Sequence, residues 1–289
     1  MSSRSTTRTN PRSWTRVIGF LVTIGLVLGA VVAWWSRFVA PFRMQVKQVA
    51  VQLPRRHSEL DGLTIAFVTD THVGPHFRAA DLAPVVIALE KLQPDIVLFG
   101  GDFICESPRF IREVAPVAGQ MASTARLGAW GVMGNHDLAN LRERVVPPLE
   151  EAGVRILANQ AVQVDTGQGD LWIVGVDDPL LGEPDLAAAY RDVPVDAASI
   201  CLWHVPDVAE EAVPFGSFLM LSGHTHGGQV ALPGIGPLAT PDMGEKYVQG
   251  RFQLGDMELY VSPGLGIYRP PVRFNCPPEL TIIRLIASP

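Results

Sequence analysis

A chain of 289 residues, 47% of them hydrophobic, is long enough to bury a full core. Once an N-terminal segment is set aside, one domain of about 230 residues is the natural reading. Residues 1–58 carry nine Lys or Arg and no acid, whereas residues 59–289 carry fourteen against twenty-nine Asp and Glu, a net charge near −15 that argues against a nucleic-acid partner.

Residues 1–16 form a basic tail with Arg4, Arg8, Arg12 and Arg16. Val17 to Trp35 is nineteen residues without a charge, extended by Phe38 to Ala40 past Arg37. Residues 17–39 are therefore expected to cross a bilayer, which takes about 20 apolar residues. Trp14 before the span and Trp34 with Trp35 after it stand where indole rings favour headgroups. Val31-Val32-Ala33 also fits a signal-peptide cleavage site, so a retained anchor and a cleaved leader both stand as readings. Arg37, Arg43 and Lys47 nearly balance the four arginines before the span. The short arginine-rich tail more easily stays inside, which places the large domain outside the cytoplasm. Residues 40–60 read as a linker with one edge strand at Val46 to Leu53. A linker of roughly 20 residues reaches at most about 70 Å.

The folded domain is expected over residues 61–289. Leu63 to Thr69 is a β-rich run ending in Asp70-Thr71-His72, and a helix-periodic stretch follows from Asp81 to Leu92, with Leu82, Val85, Val86 and Leu89 on one face. The strand Ile96 to Phe99 runs into Gly100-Gly101-Asp102. A helical segment, Ile111 to Ala125, leads to the strand Ala129 to Met133 and then to Gly134-Asn135-His136-Asp137. Val154 to Leu157, Ala161 to Val164 and Leu171 to Val176 are further strands, and Ile200 to Trp203 runs into His204. The apolar run Phe218 to Leu221 suits a short buried strand ending in Gly223-His224-Thr225-His226-Gly227-Gly228-Gln229. Pro233, Pro237 and Pro241 mark a loop-rich stretch, and Glu258 to Val261 and Leu280 to Ile286 close the chain. Polar residues thus cluster where apolar strands stop, which is where layered α/β folds build ligand sites.

Two imidazoles at i and i+2 on extended chain, His224 and His226, project to one side and suit one metal or two adjacent ones. Each candidate has a bland reading when taken alone. Asp70 can cap a turn, Asp102 and Asn135 can be ordinary turn residues, and His204 can be a hydrogen-bonded core histidine. His57 and His76 belong to no motif. Cys105, Cys201 and Cys276 are widely spaced with no C-x-x-C pair and read as small core residues.

In order along the chain, Asp70-x-His72, Gly101-Asp102, Gly134-Asn135-His136-Asp137, His204 and Gly223-His224-Thr225-His226 resemble the signature of the calcineurin-like metallophosphoesterases. The resemblance covers about residues 61–289. With Val176-Asp177-Asp178 it looks closest to the membrane-anchored or exported bacterial phosphoesterases. It implies an α/β four-layer sandwich, two mixed β-sheets packed face to face with helices outside. It also implies two divalent metal ions, one held by Asp70, His72, Asp102 and His226 and the other by Asp102, Asn135, His204 and His224. Imidazole, carboxylate and amide ligands suit manganese, iron or zinc. Two such ions can activate a water and clamp the attacking and leaving oxygens of a displacement at phosphorus.

The leading function is thus hydrolysis of phosphodiester or pyrophosphate bonds, with His136 protonating the leaving oxygen and a membrane-carried substrate set against a small soluble ester. A lipid A precursor hydrolase acting on UDP-2,3-diacylglucosamine and a metal-binding module without turnover are the alternatives. Tyr268, Arg269 and Arg273 form a basic-aromatic cluster in which Arg269 and Arg273 are the candidate substrate contacts, set against a plain solvated loop. No H-E-x-x-H or P-loop motif points to another enzyme class.

Overall fold

The computed structural model describes residues 11–288, with side chains from residue 16 onward. Arg4 and Arg8 of the basic tail lie outside the described residues, as do the side chains of Arg12 and Trp14. One helix, α1 (Pro11–Phe38), contains the apolar span, and a window of mean hydropathy 2.5 within it is unburied by the rest of the protein. By length and composition it is able to cross a membrane.

Fourteen strands follow: β1 (Gln45–Leu53), β2 (Thr64–Val68), β3 (Ile96–Phe99), β4 (Gly128–Gly131), β5 (Arg155–Ile156), β6 (Gln160–Asp165), β7 (Asp170–Gly175), β8 (Ala198–Leu202), β9 (Leu219–Ser222), β10 (Ala231–Leu232), β11 (Gly236–Pro237), β12 (Gly250–Leu254), β13 (Met257–Val261) and β14 (Glu279–Ala287). Two six-stranded sheets run β1-β14-β2-β3-β4-β5 and β12-β13-β9-β8-β7-β6, each mixing parallel and antiparallel pairs. The strands read as near-continuous apolar runs because both of their faces are covered. Ile65 and Phe67 of β2 enter the core between the sheets, where Ile173, Ile200 and Leu221 meet them. Ala66 and Val68 point the other way, into the core beneath α2 (Ala83–Leu92), α3 (Ile111–Ala122) and, after the single turn α4 (Asn135–Leu138), α5 (Arg142–Glu151). The second sheet carries its own outer layer, with Ala209 and Ala212 of a short helix packed on Val174, Cys201 and Met220. Helices, sheet, sheet and helices make the four layers that the resemblance implies.

Several local expectations shift. The helix expected from Asp81 begins at Ala83; Asp81 lies in the short 3₁₀ turn before it, where its carboxylate accepts the Arg78 N–H. Helix α5 was not anticipated, because Pro147 and Pro148 stand inside it; Val145 and Leu149, one helical turn apart, bury it against α3. The loop-rich stretch contains the small hairpin β10–β11.

The largest difference concerns residues 40–60. The strand expected at Val46–Leu53 is there, but it is a full nine-residue member of the first sheet, parallel to β14, with Val49, Val51 and Leu53 in the inter-sheet core. Alternation of apolar and polar residues marks the strand in sequence but not its partner, so its place in the core sheet shows only in the pairing with β14. The connection between α1 and the sheet is therefore residues 39–44, which reach about 20 Å at most and in part form a tight turn at Ala40–Phe42.

Candidate metal centre

Strands β2, β3, β4, β8 and β9 all end at one edge of the sandwich, and each contributes the loop that follows it. Backbone hydrogen bonds tie these loops together: Asp70 N–H to Gly101 O (2.9 Å), His72 N–H to Asp102 O (3.0 Å) and Gly223 N–H to His204 O (3.0 Å). Asp70, His72, Asp102, His224 and His226 each take a positive φ, between 43° and 69°. That conformation is disfavoured for residues with a side chain, and its concentration here turns five side chains inward at the cost of local strain. Close approach also requires glycine at two points. A Cβ on Gly134 would stand 2.2 Å from Asp102 Oδ1, and one on Gly223 would stand 2.1 Å from Asp70 Oδ2.

Two donor sets share Asp102. In the first, His72 Nε2 lies 2.9 Å from His226 Nε2, 3.3 Å from Asp102 Oδ2 and 3.8 Å from Asp70 Oδ1, and His226 Nε2 lies 3.5 Å from Asp70 Oδ1. In the second, His204 Nε2 lies 3.2 Å from the same Asp102 Oδ2, and His224 Nδ1 lies 3.1 Å from Asn135 Oδ1. Ligand atoms held about 2.1 Å from one ion stand about 3.0–3.5 Å from one another, so these separations are close to those of a filled coordination shell.

The hydrogen-bond pattern fits the same reading. His204 Nδ1 is 2.7 Å from Gly100 O and His224 Nε2 is 2.8 Å from Asp242 O. A carbonyl accepts, so those nitrogens carry a hydrogen, and His204 Nε2 and His224 Nδ1 are the nitrogens left to ligate inward. His224 Nδ1 then faces Asn135 Oδ1, one acceptor opposite another. Among the described residues His204 Nε2 is buried without a hydrogen bond and faces the donor sets, and the Nε2 atoms of His72 and His226 face each other across 2.9 Å. Acceptors that converge without donors need a cation between them.

Charge in the metal-free protein is shared within the cluster. Burial opposes ionisation of Asp102, but His204 and His72 hold it well below the usual carboxylate range. Burial likewise opposes protonation of His204, but Asp102 pushes it up to about 10, and His72 is raised for the same reason. Burial lowers His136, His224 and His226. Asp137, fully buried, is pushed up to about 7 by burial and by the Asp102 charge. Its carboxylate accepts from Gly134 N–H (3.1 Å) and Ile104 N–H (3.2 Å), pinning the turn that carries Asn135 and His136.

Above the donors opens a cavity of about 250 Å³ lined by Asp102, Asn135, His136, His224, Tyr268 and Arg269 among others. His136 is half-buried; its N–H donates to Asp102 Oδ1 (2.9 Å), and its ring centroid lies 4.8 Å from His72 and 4.5 Å from Tyr268. All seven residues expected as ligands therefore come together, with His136 beside them, while His57 and His76 do not.

Of the two candidate substrate contacts, only Arg269 faces the cavity, with its Nε donating to Glu106 Oε1 (2.8 Å). Arg273 requires correction. It is fully buried, and its guanidinium donates to the carbonyls of Pro263, Gly264, Gly266 and Cys276, so it organises a loop and does not reach substrate. Sequence reasoning missed the work of Gln229: its side chain accepts from Tyr268 N–H and donates to Tyr268 O and Pro270 O, holding the loop that roofs the cavity. Its position at the end of the histidine-rich run was the available signal. The three cysteines are buried and free.

Fold and site together define a metallohydrolase of the two-sheet sandwich class. The sequence pattern of the calcineurin-like phosphoesterases matches residues 63–228, and the chain belongs to that family of hydrolases, whose members use two divalent metals. It is similar to the uncharacterized metallophosphoesterase YkuE of Bacillus subtilis, with 31% identity over 253 residues, 87% of this chain and 88% of that one. It is 31% identical to the phosphodiesterase YaeI of Escherichia coli over 240 residues, 77% of this chain and 82% of that one. The UDP-2,3-diacylglucosamine pyrophosphatase LpxG of Chlamydia trachomatis aligns at 25% identity over 94% of this chain and 99% of its own length.

Proposed function

We propose that the protein is a membrane-anchored two-metal phosphoesterase that hydrolyses a phosphodiester or pyrophosphate bond of a membrane-associated substrate. The observation that carries this reading is the pair of donor sets joined at Asp102 Oδ2 beneath a cavity of phosphate-ester size. Asp70, His72, Asp102 and His226 would hold one ion, and Asp102, Asn135, His204 and His224 the other. Bound there, two divalent ions supply positive charge to an anionic phosphorus centre and acidify a water to serve as nucleophile. Asn135 contributes a ligand without charge, which leaves the centre net positive toward an anionic ester. His136, tied to Asp102 through its backbone N–H, delivers a proton from its ring to the leaving oxygen. Arg269 at the rim meets the ester's negative charge, and Tyr268 packs against His136 and fixes its ring.

The arginine-rich tail favours a domain outside the cytoplasm. A second reading, a nucleotide-linked acylated sugar cleaved at its pyrophosphate, is favoured by the nearly full-length alignment with the chlamydial pyrophosphatase and requires the opposite orientation. The test is metal analysis of the full-length protein, followed by a screen of phosphomonoesters, phosphodiesters and pyrophosphates, with protease mapping of the exposed side in vesicles. Two tightly held ions and turnover of a diester or pyrophosphate are expected. A protein that binds two ions and turns over none of these is a binding module, and the proposal falls.

A further inference from the structure

The segment Val230 to Pro241 has no charged residue in a domain whose net charge is near −15. It contains the hairpin β10–β11, whose turn exposes Ile235 to 76% and whose exit exposes Leu238 to 60%. Its two ends lead directly to the cavity, through Gly228 and Gln229 on one side and Ala239, Thr240 and Pro241 on the other.

The hairpin is also tied to the membrane helix. Ser36, in the last turn of α1, accepts through its carbonyl the N–H of Arg273 (2.9 Å). The next residue, Phe274, pairs with Val230 and accepts the Ala231 N–H (3.0 Å) at the hairpin's base. One hydrogen bond, one peptide step and one strand spacing put that base within about 15 Å of Ser36, and four extended residues carry Ile235 about 13 Å further at most. Arg43 stacks its guanidinium over Trp35 (5.6 Å) and Phe42 stacks on Phe77 of the domain (6.0 Å), so the helix end is fastened to the domain as well as linked to it. Arg37, Arg43 and Arg269 supply positive charge around this region.

We infer that the β10–β11 hairpin is a second membrane contact, which inserts Ile235 and Leu238 into the leaflet that α1 leaves and turns the cavity mouth toward lipid headgroups. Exposed aliphatic side chains on an uncharged loop gain by entering the acyl boundary, and basic residues beside them meet lipid phosphate. The substrate class this surface selects is a phosphate ester or anhydride carried on a lipid. The inference rests on α1 spanning a bilayer.

Because the three native cysteines are buried, single cysteines placed at Ile235, at Val195 (94% exposed) and at Leu26 within the span take an environment-sensitive thiol dye selectively. The full-length protein is reconstituted into phosphatidylcholine–phosphatidylglycerol vesicles carrying spin-labelled lipid. Dye on Ile235→Cys should be quenched at least threefold more than dye on Val195→Cys. Quenching at Leu26→Cys with none at Ile235→Cys overturns the hairpin inference alone. No quenching at Leu26→Cys removes the span on which it rests. In parallel, Ile235→Asp with Leu238→Asp should lower hydrolysis of a lipid phosphodiester in vesicles at least tenfold and leave that of bis(4-nitrophenyl) phosphate within twofold. Equal losses on both substrates, or none on either, overturn it.

Discussion

Positive φ at five of the seven ligand candidates means that the site is built against local preference. Each such residue costs about 1–2 kcal/mol relative to an ordinary conformation, and the loops hold it only because their hydrogen bonds close on one another. Asp102 is the residue both donor sets share, so Asp102→Ala should abolish turnover and strip bound metal toward none, read by elemental analysis of the purified variant. Two ions retained in that variant would remove the bridging role. His136→Ala should keep both ions and lose about 100-fold in rate on esters with poor leaving groups, with a smaller loss on good ones. Because His136 also lies close to His72 and Asp102, loss of metal in that variant would make it a support for the ligands instead of an acid. Protonation gives a third expectation. In the metal-free protein His204 keeps its proton to about pH 10 and His72 is raised with it, so loading must displace about two protons. Apparent metal affinity should climb as pH rises from 7 toward 10, and calorimetry in buffers of different ionisation enthalpy should record the release. The same shift means that His204 stabilises the metal-free fold fully below pH 6.5 and ceases to do so as pH passes about 10, and His72 contributes in the same direction.

At the scale of elements, the loop between β13 and β14 depends on one buried cation. Arg273 ties four backbone carbonyls together and, through its own N–H, ties the loop to α1. Arg273→Ala leaves those carbonyls without a donor and should destabilise the fold by about 3 kcal/mol or more, read as a lowered Tm, with a parallel loss of activity because Tyr268 and Arg269 share the loop. Arg269→Ala should leave the Tm within a degree or two and raise KM for anionic esters. The contrast separates two arginines that the sequence treats alike. Pro147 and Pro148 show the converse: local propensity argues against α5, and tertiary burial of Val145 and Leu149 decides for it.

For the whole molecule, the strand that follows α1 belongs to the sheet. A fragment beginning at residue 61 would lose Val49, Val51 and Leu53 from the inter-sheet core, about 5 kcal/mol of apolar burial. It would also bare the nine-residue edge of β14. That fragment should aggregate, while residues 45–289 should unfold cooperatively; light scattering with thermal unfolding distinguishes them. A connection of only six residues, 39–44, also keeps the catalytic edge close to the end of α1.

What the sequence determined by itself were most of the strands and the loops at their ends, because buried strands must be apolar; it offered the seven ligand candidates as polar residues with ordinary alternatives, and the resemblance made them ligands. The resemblance supplied their pairing. What only the tertiary structure decided was direction and company. Asp102 faces His72 and His204 together, and His224 gives one nitrogen to Asp242 O and the other to the site, because loops far apart in sequence meet at one edge of two packed sheets. Arg269 and Arg273 are alike in composition and four residues apart, and packing alone leaves one at the cavity and buries the other. The length of the connection after α1 was likewise invisible in sequence, since the edge strand at Val46–Leu53 could be named but its pairing with β14, which takes it out of the linker and into the core sheet, could not.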